Sequence, residues 1–184
     1  MRLLGISGSL RRGSYNTRLL RAAARLLPPG AELELWDRLK EVPPYTEDDD
    51  REPVPEAVQA LREAIASADA LLIATPEYNR SVPGQLKNAL DWASRPFPDN
   101  CLRNKPVAVV ASSTGMFGAV WAQVELRKAL GAAGGRIVGD EFAFGRAHEG
   151  FRPDGRLRDP SLELRLRATL GELAETAAAR ERAA

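Results

Sequence analysis

Two hydrophobic periods alternate along the chain. Continuous apolar runs occur at Arg2–Ser7, Ala70–Thr75 and 106–111. Runs of that length read as strands buried on both faces, as in the centre of a parallel sheet. Between them, apolar residues recur three and four apart. Residues 15–27 place Leu19, Leu20, Ala23, Leu26 and Leu27 on one helical face, and 55–66 place Val58, Leu61 and Ile65. Residues 82–93 do the same with Leu86, Ala89, Leu90 and Ala93, and 119–133 with Ala122, Leu126, Ala129 and Leu130. Pro28-Pro29-Gly30 stops the first helix. Ser81 is placed to cap the third, with Pro83 in its first turn. Glu32–Trp36 alternates polar and apolar, which marks a half-wet strand at a sheet edge. A short fifth strand is expected at 136–138. A last helix opens at Asp159-Pro160 and buries Leu162, Leu166, Leu170 and Leu173, with 179–184 expected to fray.

Five strands alternating with five helices predict an α/β fold, a parallel sheet with helices on both faces. Right-handed crossovers and the wet second strand favour the strand order 2-1-3-4-5. Neither an internal repeat nor a linker divides the pattern, so one domain over 1–184 is expected. In this order the switch point falls between the first and third strands, where open α/β sheets bind ligands.

Three polar turns then lie side by side at the carboxyl edge. The first, Gly8-Ser-Leu-Arg-Arg-Gly-Ser-Tyr-Asn16, combines glycines, hydroxyls and two arginines ahead of a helix N-terminus. That composition suits one phosphate group held by backbone, hydroxyls and charge. The alternative is a plain strand-to-helix turn capped by Ser14 or Asn16. The spacing Gly8-x-x-x-x-Gly13 imitates a P-loop, but Ser14-Tyr15 follows instead of Lys-Ser/Thr. The second turn, Pro76-Glu-Tyr-Asn79, offers an aromatic and an amide to a planar heterocycle, or is a β-turn with a surface tyrosine. Glu77 is read as solvent-facing or as a backbone contributor rather than a general base. The third, residues 112–118, offers hydroxyls, glycine backbone, Met116 and Phe117, or supplies a helix cap from Ser113 or Thr114.

Composition narrows the partners. Twenty-six Lys and Arg against 25 Asp and Glu leave a net charge of +1, which argues against a nucleic-acid or membrane partner. The lone Cys101 rules out an intrachain disulfide, and the lone His148 rules out a two-histidine site. Asp48-Asp49-Asp50 reads as a solvated loop, so no metal is expected. With no signal-peptide pattern or long apolar span, a cytoplasmic location is expected. Trp92 reads as core or subunit interface.

The motifs resemble those of the NADPH-dependent FMN reductase family of flavodoxin-like proteins. The family's Gly-Ser-Leu-Arg-x-x-Ser-x-Asn is here Gly8 to Asn16, and its Thr-Pro-Glu-Tyr-Asn-x-Ser-x-Pro-Gly-x-Leu-Lys-Asn-x-x-Asp-Trp runs unbroken from Thr75 to Trp92. The resemblance covers residues 2 to about 158. It implies a five-stranded flavodoxin-like sandwich that binds FMN and uses NADPH or NADH as cosubstrate. Ser9, Arg11, Ser14 and Asn16, in a turn completed by Leu10, Arg12, Gly13 and Tyr15, would hold the FMN phosphate and ribityl chain. Pro76, Glu77, Tyr78 and Asn79 would line the flavin ring, and Ser113 with Gly115 would close its far side. Arg80 and Tyr78 would meet the substrate. Hydride would pass through the flavin to a small acceptor such as a quinone, chromate, an azo compound or another flavin, with no protein side chain acting as acid or base. A homodimer or homotetramer is implied. The third loop departs from the family's Gly-Gly-x-Arg and reads Gly118-Ala119-Val120-Trp121. A non-catalytic flavodoxin-type electron carrier is the alternative, although such carriers are usually strongly acidic.

Overall fold

A computed structural model describes residues 1–183. Strands β1 (Arg2–Ser7), β2 (Glu32–Trp36), β3 (Ala70–Thr75), β4 (Pro106–Ser112) and β5 (Arg136–Phe144) form one sheet. Its order is β2-β1-β3-β4-β5 and every pairing is parallel, as the hydrophobic pattern predicts. The helices are α1 (Tyr15–Ala24), α2 (Glu56–Ser67), α3 (Gly84–Ala93), α4 (Val120–Ala132) and α5 (Pro160–Arg182).

Side-chain alternation along the inner strands feeds two cores. Leu3, Leu72 and Val110 face α1 and α5, where Leu19, Leu20, Leu166 and Leu170 are buried. Leu4, Leu71, Ile73 and Val109 face the other way and pack with Leu61, Leu86, Leu90, Leu126 and Leu130 of α2, α3 and α4. Trp92 is fully buried in this second core. Its indole N–H donates to Pro43 O at 2.9 Å, and Gln85 and Asn88 of α3 also bond the 39–45 segment. In the acidic loop Asp50 pairs with Arg62 at 2.8 Å.

Four boundaries differ from the sequence reading. Helix α1 ends at Ala24, not 27, because Pro28 disfavours helical backbone before it and Leu26 is instead bonded in a tight turn to Ala23. Helix α3 starts at Gly84 with Pro83 at the cap position; Ser81 is not its cap. Helix α5 runs regularly through Arg182, across most of the segment expected to fray, and residue 184 lies outside the described residues. Strand β5 continues to Phe144 rather than stopping at Val138. Its register shifts between Ala108 and Val110 of β4, so Gly139-Asp140-Glu141 form a polar bulge that hides the strand from a periodicity search. Side chains satisfy the bulge: Gln123 accepts from Phe142 N at 2.7 Å, Arg127 donates to Gly139 O at 2.7 Å, and Glu172 accepts from Gly139 N at 3.2 Å.

Candidate active site

The three polar turns leave β1, β3 and β4 at the same edge of the sheet, and hydrogen bonds tie them together. Gly8 N–H donates to Ala74 O at 2.8 Å, joining the first turn to the end of β3. The buried Asn16 carboxamide donates to Ser112 O and accepts from Ser112 N, both at 3.0 Å, joining it to β4. This pair of bonds uses Asn16 as a substitute strand residue.

Ser14 caps α1, its hydroxyl accepting from Thr17 N at 3.2 Å. The Ser14 proton stays free to donate. No acidic residue stands in the first turn of α1. Among the described residues the N–H groups of Arg12, Gly13, Tyr15 and Asn16 have no partner within the chain. Unpaired N–H groups, a helix N-terminus and nearby guanidinium groups make an anion-binding geometry. Arg11 lies 5.1 Å from the Tyr15 ring centre and donates to Gly13 O at 2.8 Å. Arg18 lies 4.5 Å from the Phe151 ring centre, and Tyr15 stacks on Phe151. Arg18 and Phe151 were not singled out from the sequence. The i,i+3 spacing of Tyr15 and Arg18 is the available signal for the first, and for Phe151 it is the His148-Glu-Gly-Phe151 segment, which falls within the family resemblance. Ser9 N–H donates to Ser7 Oγ at 3.4 Å, while Leu10 and Arg12 are exposed. A cleft of about 290 Å³ opens beside this turn between Ser9, Thr17 and Trp36.

In the second turn Pro76 is buried and Tyr78 and Ser81 exchange backbone hydrogen bonds of 3.1 and 3.0 Å. Asn79 and Arg80 between them have φ of 53° and 60°, a type I′ hairpin turn. Glu77 does not face solvent. Its Oε2 accepts from Trp121 N and Ala122 N, both at 3.1 Å, and so caps α4 from the second turn. The N-cap residue itself, Ala119, has no capping side chain, and neither Ser113 nor Thr114 takes that role. Ser81 Oγ donates to Glu125 at 2.5 Å, a second tie to the same helix.

The third turn is held from behind by the chain after β5. Ser113 N donates to Phe144 O, Ala147 N to Ser113 O and Arg146 N to Gly115 O, each at 3.0–3.1 Å. Close approach explains Gly118: a Cβ there would meet Phe144 N at 2.5 Å. The N–H groups of Thr114, Gly115, Met116 and Phe117 have no partner among the described residues. Ser112 Oγ is buried and unpartnered at the base of this turn. An anion site, a donor-lined turn and an orphan buried hydroxyl fit the phosphate and polar ring edge of FMN. His148 stays at the surface beside Glu149, 3.2 Å away.

Comparison with known proteins agrees with this arrangement. The family model described as NADPH-dependent FMN reductase matches residues 1–149. An NAD(P)H-dependent FMN reductase of Pseudomonas aeruginosa is 52% identical over 130 residues, 71% of this chain and 69% of that protein. A quinone reductase of Escherichia coli K12 is 41% identical over 131 residues, 71% of this chain and 69% of its own. The solved structure of FerB, a flavoenzyme NAD(P)H:(acceptor) oxidoreductase from Paracoccus denitrificans, superposes with a TM-score of 0.85 at 33% identity, covering 95% of this chain and 98% of that one. A flavodoxin from P. aeruginosa, at 19% identity and a TM-score of 0.55, covering 97% and 98%, shares the fold. With the motif turns gathered at one sheet edge and the family match spanning both, the chain belongs to the NADPH-dependent FMN reductase family.

Proposed function

We propose that this protein is an FMN-dependent NAD(P)H oxidoreductase acting on a small-molecule acceptor. The observation that carries the proposal is the set of unpaired N–H groups in three mutually bonded turns at the switch point of the sheet. Bound FMN supplies hydride exchange between a nicotinamide and an acceptor. Ser9, Arg11, Ser14 and the N–H groups of Arg12, Gly13, Tyr15 and Asn16 hold the phosphate end. Pro76 to Asn79 line the ring, and Ser113 with the Gly115 loop directs N–H donors to its polar edge. Tyr78 and Arg80 stand at the mouth, toward nicotinamide and acceptor. The chain acts as a single domain.

Within this proposal the protein works in the cytoplasm as a homodimer or homotetramer. No helix among the described residues is long and apolar enough to cross a membrane. A groove of about 340 Å³ between α3 and α4, with Leu90, Ala129 and the exposed Phe97 along it, is the surface for self-association. The near-neutral charge weighs against a docking electron carrier.

The test is anaerobic spectroscopy of the purified protein loaded with FMN. A flavin spectrum that bleaches with NADPH and recovers with a quinone is expected. A spectrum that stays oxidised would move the assignment to a carrier, and failure to bind added FMN would remove the site.

A further inference from the structure

We propose that the cleft between α1 and the end of β2 takes an adenosine 5′-phosphate group joined to the flavin phosphate, so that this chain holds FAD as well as FMN. The inference rests on the reading of the first turn as the seat of that phosphate. The cleft has a volume of about 290 Å³ and shares Ser9 and Leu10 with the turn. Small-molecule pockets span about 300–1,000 Å³, so a cleft at the lower end suits one nucleoside and not a whole dinucleotide. In FAD the second nucleotide is attached at the phosphate of the flavin half. Its extension therefore begins where the cleft begins. The pyridine nucleotide carries the same group, but joined to its nicotinamide half and not to the phosphate in the first turn.

The lining has a part for each piece of that group. Leu20 and Leu35 give apolar walls, and the half-buried Trp36 adds a large aromatic surface for a purine. Asp37 directly follows β2, the strand that neighbours β1 and its turn. In nucleotide-binding sheets an acidic residue further along the chain from the phosphate turn accepts from the ribose hydroxyls. Arg21, Asp37 and Lys40 all line the cleft, and none of them makes an ion pair among the described residues. Two free cations and one free carboxylate match a phosphate and a ribose.

The cleft is also braced. Thr17 Oγ1 donates to Ser7 Oγ at 3.0 Å and ties the helix wall to the strand floor. Gly5 keeps that floor deep: a Cβ there would meet Leu35 Cδ2 at 2.8 Å, and the displaced methyl belongs to a residue that lines the cleft.

The experiment titrates FMN and FAD in parallel into the full chain freed of flavin, read by calorimetry. FAD is expected to bind within about tenfold of FMN, the cleft contacts offsetting the charge that the phosphate loses on esterification. Gly5→Ala moves Leu35 into the cleft and is expected to lower FAD affinity about tenfold with FMN affinity unchanged. Asp37→Ala, on the exposed rim, is expected to lower it about tenfold through the lost ribose bonds, and it keeps the test decisive if the strand variant fails to fold. A wild-type FAD affinity below that range, or an FAD-to-FMN ratio that the folded variants leave unmoved, overturns the proposal. So does a raised KM for NADPH in the FMN-loaded variants at an unmoved ratio, which would give the cleft to the cosubstrate's adenosine. If the wild type binds neither flavin, the reading of the first turn itself falls. If it binds FMN and excludes FAD, only this inference falls.

Discussion

Ser14 and Asn16 divide the work of the first turn. Ser14 caps α1 and leaves a proton free, whereas Asn16 spends its carboxamide on the backbone of Ser112. Asn16→Ala strands the buried N–H and C=O of Ser112 and is expected to destabilise the fold by about 2 kcal/mol, read as a lower urea midpoint at unchanged slope. Ser14→Ala is expected to cost about 1 kcal/mol through the lost cap and also to weaken FMN binding in a fluorescence titration. Cys101 presents the opposite case, a side chain silenced by its surroundings. Burial pushes its thiol up to about 11, and the thiol donates to Ala93 O at 3.3 Å. At pH 8 it is expected to react with an aromatic disulfide reagent far more slowly than free cysteine, and to reach full reactivity only on unfolding in urea.

Among the elements, α4 depends most on residues outside itself. It starts at a left-handed alanine with no capping side chain, and Glu77 supplies the missing acceptor from 44 residues upstream. Because the same glutamate belongs to the ring-facing turn, it sets the spacing between two walls of the site. Glu77→Ala is expected to loosen the third turn, seen as faster amide exchange at Trp121 and Ala122 and weaker FMN binding. Glu77→Gln keeps an acceptor oxygen and is expected to recover most of both. Strand β5 shows the same dependence: its bulge survives because Gln123, Arg127 and Glu172 satisfy the polar groups it exposes.

At the scale of the whole molecule the two ends of the sheet have separate tasks. The carboxyl edge carries the site, and the amino edge carries a buried charge. Lys105, at the entrance of β4, donates to the carbonyls of Ala66, in the last turn of α2, and of Ala68, its C-cap. Burial, with Arg180 adding repulsion, lowers its pKa to about 8 from the usual 10.5. Between those two values the unfolded chain holds the proton that the folded one has released, so this lysine adds stability as pH rises, and the Cys101 thiol, raised from 9.0, opposes that gain only above pH 9. Lys105→Met is expected to abolish this rise in urea midpoints measured from pH 8 to 9, below the range in which the Cys101 thiol titrates. FMN in excess is expected to raise Tm with its concentration, since it binds only the folded edge.

The sequence by itself determined the strands and helices of the inner sheet, its order and the three turns, because periods of two and 3.6 and the chemistry of glycine, proline and small polar residues act over a few neighbouring positions. The motif from Thr75 to Trp92 also identified the family without coordinates. What only the tertiary structure decided are pairings between distant residues: Asn16 with Ser112 across 96 positions, Glu77 with the start of α4 across 44 and 45, and Gln123 with the bulge before Phe142 across 19. No local period encodes such bonds. They form where the packed sheet and helices bring unpaired backbone groups beside a side chain able to satisfy them, and burial makes leaving them unpaired costly. That is why Glu77 reads as a solvent-facing turn residue in one dimension and is a helix cap in three.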